Sequence, residues 1–476
     1  MLPKRPVIAC LAAALLGLGA AAGEAADKGA EGFWYGPLKA GPVELRLGFV
    51  IDKGADGSLR GVMDSLDEGA TDIPMDEVKV ADKAVAFTIK PLTITYKGTL
   101  SADGQSIEGT YTQRGISLPF TLQRADKRAA NARPQDPKKP YPYVEEEVSY
   151  KSGAIAFAGT FTKPSGDGPF PAVLLITGSG AQDRNETILG HRWFLVLADH
   201  LTRKGIAVLR VDDRGVGGST GVLIEAGIEE QADDVLAGVA YLKGRKDVRT
   251  DRIGLIGHSE GGFVAPLAAS RSKDVAFIVL LAAPGVTGEE VLVRQFEDVA
   301  KAQPQVTAEE LANARDRQRR AFAIVKEGPD AETIRKRLLQ LEQEALATLS
   351  DAKRKEYEGV KAQAAMQLEM SLTPWFRSFV RYDPQPALVK VAVPVLALNG
   401  DKDVQVAVKE NLGAIAKALR EGGNTDVTVK ELPGLNHLFQ HSETGAIAEY
   451  GKIQETFAPE ALEEVSSWLL TRAGRQ

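Results

Sequence analysis

The chain has 476 residues, with 58 Lys and Arg against 64 Asp and Glu, a formal net charge of −6 and 44% hydrophobic residues. Its length exceeds one ordinary domain, and its apolar content is that of a globular protein. The acidic balance, with no Lys/Arg run, excludes the basic patch that nucleic-acid binding requires.

The first stretch, MLPKRPVIACLAAALLGLGAAAGEAADKG, sets Lys4 and Arg5 before an apolar run that ends in small residues around Ala22 to Ala26. This is the three-part layout of a secretory signal, and cleavage after Ala25 is expected. The run is shorter than the about 20 residues of a membrane span, and no later segment is apolar and long enough to cross a bilayer. Export to the periplasm or the outside of a bacterial cell, with no stable membrane span after processing, is therefore expected. The single cysteine, Cys10, lies inside residues 1–25, so thiol and disulfide chemistry leave with the signal.

Residues 30–124 read as short strands. VELRLGFVID (43–52) alternates apolar and polar positions, AVAFTIK and LTITYKGTL follow, and Asp56-Gly57 and Asp103-Gly104 supply hairpin turns. A small antiparallel barrel-like domain is expected. GFWYG (32–36) resembles the opening of lipocalin-like barrels, and two readings stand: Trp34 packed in a filled barrel, or a barrel that binds a ligand. Residues 125–147 carry Pro134, Pro137, Pro140 and Pro142 and read as an extended linker.

From 148 to 476 the period changes. A hairpin, YKSGAIAFAGTFTKP, leads to PAVLLITGSG, and then IAVLRVDDRG, RIGLIGHSE, VAFIVLLAAPG, PVLALNGDKD and VTVKELPGLNH alternate with amphipathic helices. That alternation predicts a mostly parallel sheet with helices on both faces and a site beyond the strands' carboxyl ends. Between about 287 and 387 the chain turns Ala/Glu/Lys/Leu-rich, with Thr307 and Glu310 spaced as a capping box. So long an insert predicts a helical cap over the sheet's active edge, with a docking surface for another protein as the alternative.

Gly257-His258-Ser259-Glu260-Gly261 falls between a strand and a helix, the setting of a nucleophile elbow. Glycines at both ends leave room for a turn so tight that the serine is strained, and the Glu260 N–H and the following helix's N-terminus face a developing oxyanion. A serine needs a base and an acid, which follow it in the order acid, then histidine. Of the five histidines, His191 and His200 precede the serine and flank an expected surface helix, and the His258 side chain should leave the elbow in another direction. Only His437 and His441 follow the last strand, and His437 lies directly after it. Asp401 and Asp403 follow the preceding strand, and Asp403, deeper in its loop, is the favoured acid. Ser179 in TGSG is the expected second oxyanion donor, with Gly180 as the alternative. Asp183, Arg184 and Glu186 are read as bracing that loop by ion pairs, with substrate binding as the alternative, and Arg214 as fixing a turn. Trp375, Phe376 and Phe379, near Tyr382, are a candidate acyl pocket, or simply cap packing.

Together, GSGAQDRNET, AVLRVDDRGVGGS, GHSEGG, NGDKDVQV and LPGLNHLFQ resemble the α/β-hydrolase superfamily of serine hydrolases. Within it they look like bacterial EstD-type carboxylesterases of the serine aminopeptidase-like group. The resemblance covers roughly 148 to the C-terminus and departs from many members at Thr177, where they have histidine. It implies a Ser259, Asp403, His437 triad that cleaves small-molecule esters through an acyl-enzyme, with no metal or organic cofactor. An aminopeptidase using the same triad, and a non-catalytic binding module on this scaffold, are the other readings.

Overall fold

A computed structural model describes residues 29–473 apart from 41–42, 55, 68–69, 114, 129–132 and 302–306. The expected signal, residues 1–25 with Cys10, lies outside the described residues. The chain divides into two compact units at about residue 130.

The N-terminal unit is a nine-stranded sheet in which every pair is antiparallel. Its strands are β1 (Gly32–Ala40), β2 (Val43–Lys53), β3 (Leu59–Ser65), β4 (Ala70–Pro74), β5 (Glu77–Ala81), β6 (Ala84–Ile89), β7 (Ile94–Leu100), β8 (Ser106–Gln113) and β9 (Ile116–Ala125), in the order β4-β3-β2-β1-β9-β8-β7-β6-β5. Two turns form where the sequence predicts them. Asp56 and Asp103 each accept a backbone N–H two residues on, and Gly57 and Gly104 supply positive φ. Alternate residues point inward, and Trp34, Phe49, Phe87, Tyr96 and Phe120 are buried there. Phe87 and Tyr96 stack at 4.9 Å, and Phe49 lies 5.1 Å from Phe87. Arg124 sits over the Trp34 ring at 4.3 Å. Side chains fill this interior, which fits the packed reading of Trp34.

The larger unit opens with β10 (Tyr143–Ser152) and β11 (Ile155–Pro164), so the sheet begins ahead of Val148 and the proline-rich stretch is shorter than expected. The eight-stranded sheet also contains β12 (Phe170–Ile176); after it come the hairpin β13 (Thr187–Ile188) and β14 (His191–Arg192), α1 (Trp193–Arg203) and β15 (Ala207–Val211). Then follow α2 (Ile228–Lys243), β16 (Val248–His258), α3 (Gly261–Arg271) and β17 (Phe277–Leu281). Between β17 and β18 the chain forms the cap: α4 (Gly288–Lys301), α5 (Ala308–Glu327), α6 (Ala331–Ala347), α7 (Asp351–Leu372), α8 (Pro374–Arg381) and α9 (Gln385–Leu388). β18 (Val395–Gly400), α10 (Val408–Glu421), β19 (Val427–Leu432), α11 (Ile447–Tyr450) and α12 (Pro459–Ala473) complete the chain.

The sheet order is β10-β11-β15-β12-β16-β17-β18-β19. The first two pairs are antiparallel and the rest parallel. Period-two alternation splits its core. Leu174, Leu255, Leu280 and Ala397 join one cluster with α2, α3 and α10, whereas Leu175, Ile256, Val279 and Leu396 join the other with α1 and α12. Each such buried leucine, isoleucine or valine stabilises the fold by roughly 1.5–3 kcal/mol.

Helix α1 is not the surface helix expected from the sequence. Trp193, Phe194, Leu197 and Leu201 are buried, and so is His191 just before it, because the helix packs between the sheet and the C-terminal segment. The Trp193 ring stacks on Phe457 at 4.6 Å. The cap has a small core of its own around Phe322, Val325, Ile334 and Val380. Asp330 and Thr373 cap α6 and α8 by accepting the N–H three residues on.

Candidate active site

Strand β16 ends at His258 and α3 begins at Gly261, leaving Ser259 at φ +50° in the turn between them. That is strained ground for a non-glycine residue, and hydrogen bonds hold it there. The Ser259 N–H donates to Leu281 O at 2.9 Å, and Ser259 O accepts the Gly262 N–H at 2.8 Å. The flanking glycines are required sterically: a Cβ at position 257 would meet Gly261 O at 2.2 Å, and one at 261 would meet Ile176 O at 2.4 Å. Ser259 is partly exposed between two buried neighbours.

Asp403 lies in the loop after β18 with its side chain fully buried. Its Oδ1 accepts the N–H groups of Gln405 and Val406 at 2.7 and 2.9 Å, which fixes the carboxyl. Its Oδ2 lies 2.8 Å from His437 Nδ1. An ionised Asp403 makes Nδ1 the protonated nitrogen and leaves Nε2 free. The loop carrying His437 is wound around Asn436, whose Oδ1 accepts the N–H groups of Leu438 and Gln440. His437 O lies 3.2 Å from His258 Nε2, and the two rings are 5.0 Å apart, so this histidine reaches the residue next to Ser259. Asp401 instead accepts the Gly434 N–H at 2.7 Å, an ordinary loop contact. His441 is exposed and bonds Glu455, while His200 bonds Ser466.

The loop after β12 is braced from two sides. Thr177 Oγ1 and the Gln182 N–H donate to the two oxygens of Asp213, at 2.8 and 2.9 Å. Thr177 is thus held by a carboxyl at the end of β15. Burial pushes the Asp213 carboxyl up to about 7. The Gly178 N–H donates to Glu186 Oε1 at 2.7 Å, and the same oxygen lies 2.8 Å from His258 Nδ1. Burial alone would lower the His258 pKa, but the Glu186 carboxylate outweighs it and raises the value. A Cβ at position 178 would lie 3.2 Å from Ser259 Cβ, so this loop rests against the elbow. With the Gly178 N–H occupied, the N–H of Ser179 is the next donor along the loop. Asp183 folds the following turn by accepting the N–H groups of Asn185 and Thr187. Arg184 is bidentate to Asp212, and Arg214 to Asp234.

Of the aromatic residues in the cap, Phe379 is buried 5.5 Å from Phe263, and Phe376 joins the cap core beside Phe322. These two pack, as the plainer reading has it. Trp375 differs: its Nε1–H donates to Glu260 Oε1 at 2.8 Å. Three links are therefore absent from the sequence reading: Asp213 to Thr177, Glu186 to His258, and Trp375 to Glu260. A carboxylate eight residues beyond the loop glycine was visible in AQDRNE, but its direction was not.

A family model described as serine aminopeptidase, S33, matches residues 191–444. The chain belongs to this family. It is a carboxylesterase-like hydrolase on the α/β-hydrolase fold. It is 28% identical to esterase EstD of Thermotoga maritima over 362 residues, which span 75% of this chain and 76% of that protein. Among solved structures it is similar to an esterase of Pyrococcus furiosus, with 16% identity, a TM-score of 0.41 and coverage of 70% of this chain and 92% of that one. A proline iminopeptidase-related protein from Thermus thermophilus matches with 20% identity, a TM-score of 0.42 and coverage of 69% and 98%.

Proposed function

We propose that the protein is an exported serine hydrolase that cleaves carboxylic esters of small molecules through Ser259, His437 and Asp403. The observation that carries this reading is the buried Asp403–His437 pair at 2.8 Å, docked beside a serine held at φ +50°. The His437 Nε2 takes the Ser259 hydroxyl proton as Oγ attacks the acyl carbon. The N–H groups of Glu260 and Ser179 hold the oxyanion. Collapse of the tetrahedral adduct breaks the ester C–O bond, and His437 returns the proton to the leaving alkoxide. Water, deprotonated by the same nitrogen, then attacks the acyl-enzyme and releases the acid and Ser259. Asp403 keeps the ring in the right tautomer and stabilises the imidazolium.

EstD is named an esterase, and that name, together with the set of motifs, favours esters. Export rests on the residue pattern of the first 25 positions. The test is turnover of p-nitrophenyl esters from acetate to palmitate beside aminoacyl p-nitroanilides, with Ser259→Ala as control. Ester turnover abolished by the substitution supports the reading, and anilide turnover in its place moves the assignment to an aminopeptidase. Ester turnover that survives Ser259→Ala overturns it. The mass of the secreted chain checks cleavage after Ala25.

A further inference from the structure

Glu260 contributes more than a backbone N–H to the elbow. Its side chain is buried, and two hydrogen bonds fall on one oxygen: Oε1 accepts from Trp375 Nε1 at 2.8 Å and from Gln231 Nε2 at 3.0 Å. The other oxygen, Oε2, is buried without a partner among the described residues. The Ser179 hydroxyl acts on this carboxyl too, but does not reach Oε2 in hydrogen-bond geometry. Two donors on one oxygen and none on the other costs less for a neutral carboxylic acid, whose carbonyl accepts twice, than for a carboxylate. An ionised carboxylate would leave a bare anionic oxygen in a buried site.

We propose that Glu260 is a positioning residue. Held as the neutral acid, its carboxyl latches cap helix α8, through Trp375, to the residue whose backbone N–H faces the oxyanion. The seating of the cap and the shape of the oxyanion hole are then set together. The inference rests on the proposed triad and adds a link from it to the cap. The carboxyl coupled electrostatically to Glu260 is Asp213, at the end of β15. The other titratable groups around the elbow are the His437–Asp403 and His258–Glu186 pairs. Burial favours the same neutral state by raising the Glu260 pKa. Ionisation at high pH would set a negative charge beside the negative oxyanion and slow the reaction.

The test compares Glu260→Ala, Glu260→Gln, Trp375→Phe and the Glu260→Ala/Trp375→Phe double variant. For each, kcat and KM for p-nitrophenyl butyrate are measured from pH 5 to 10, with a melting curve, and Ser259→Ala sets the baseline. Glu260→Ala is expected to lower kcat about tenfold or more with a smaller change in KM. Glu260→Gln should recover most of that loss and remove the alkaline decline, and the double variant should be no worse than Glu260→Ala. Glu260→Gln as impaired as Glu260→Ala, or additive losses in the double variant, would overturn the proposal. If Glu260→Ala does not fold, Trp375→Phe alone decides, since it removes only the indole N–H: a lowered kcat supports the latch and an unchanged kcat overturns it. Ester turnover that persists in Ser259→Ala overturns the triad instead, a separate failure.

Discussion

Glu186 and His258 meet at 2.8 Å in the interior, and the Glu186 oxygen that faces the ring also accepts the Gly178 N–H. One carboxylate oxygen thereby ties the loop after β12 to the residue beside Ser259. Glu186→Ala removes both contacts and leaves His258 buried without its counter-charge. Breaking a buried pair in this way costs about 3–5 kcal/mol. Urea unfolding of the variant should show a loss of that order, and a loss below about 1 kcal/mol would mean that the pair is not a brace.

The same pair predicts a pH dependence. His258 is raised in the folded state, so its contribution is complete below the unfolded value of about 6.5 and is lost as pH rises through the higher folded value. Stability should therefore fall above about pH 6.5 in the parent chain. Glu186→Gln keeps the shape, removes the charge and should flatten that fall, as read from unfolding midpoints between pH 6 and 9.

The elbow glycines give a steric prediction. Gly261→Ala drives a methyl group to 2.4 Å from Ile176 O, a backbone atom with no side-chain freedom to yield. The cost should reach or exceed the about 1–3 kcal/mol of ordinary overpacking. Gly413→Ala, where a Cβ meets nothing within 4 Å, is the control in a melting experiment. Equal melting temperatures for the two variants would refute the steric account.

Much of this was legible in the sequence because it depends on chain order. The alternation of strands and helices, the serine between two glycines, and the aspartate and histidine after the last two parallel strands are all local patterns. What stayed hidden depends on direction. Glu186 adopts φ +47°, a backbone state that no neighbour in AQDRNE announces. The burial of α1 was half visible, since WFLVLA is apolar on every side, which marks a buried helix rather than a surface one. Trp375 and Glu260 are more than one hundred residues apart, and only tertiary packing brings them to 2.8 Å.

Asp403 and Asp401 stand two positions apart in one loop with different partners, His437 Nδ1 for the first and the Gly434 N–H for the second. Asp403→Asn should preserve the fold yet favour the wrong histidine tautomer, lowering kcat by about 10⁴ if the triad operates as proposed. Asp401→Asn should change kcat by less than about tenfold, because it touches only a loop amide. Parallel kcat measurements on one ester decide between them, and equal losses would remove Asp403 from its assigned role.

Asp213 supplies the last prediction. Burial pushes its carboxyl up to about 7, far above the ordinary value of 3.8, so the folded state binds the proton more tightly than the unfolded one. The unfolded chain therefore releases this proton first as pH rises. Stability from this group falls between about pH 4 and pH 7, with a slope of at most about 1.4 kcal/mol per pH unit, and is level above that. Asp213→Asn cannot ionise, yet its amide can still accept from the Gln182 N–H and donate to the Thr177 hydroxyl. The stability difference between variant and parent should grow in the variant's favour from pH 4 to pH 7 and then stay constant. A difference independent of pH would mean that Asp213 is ionised throughout, and that Thr177 and Gln182 alone meet the cost of its burial.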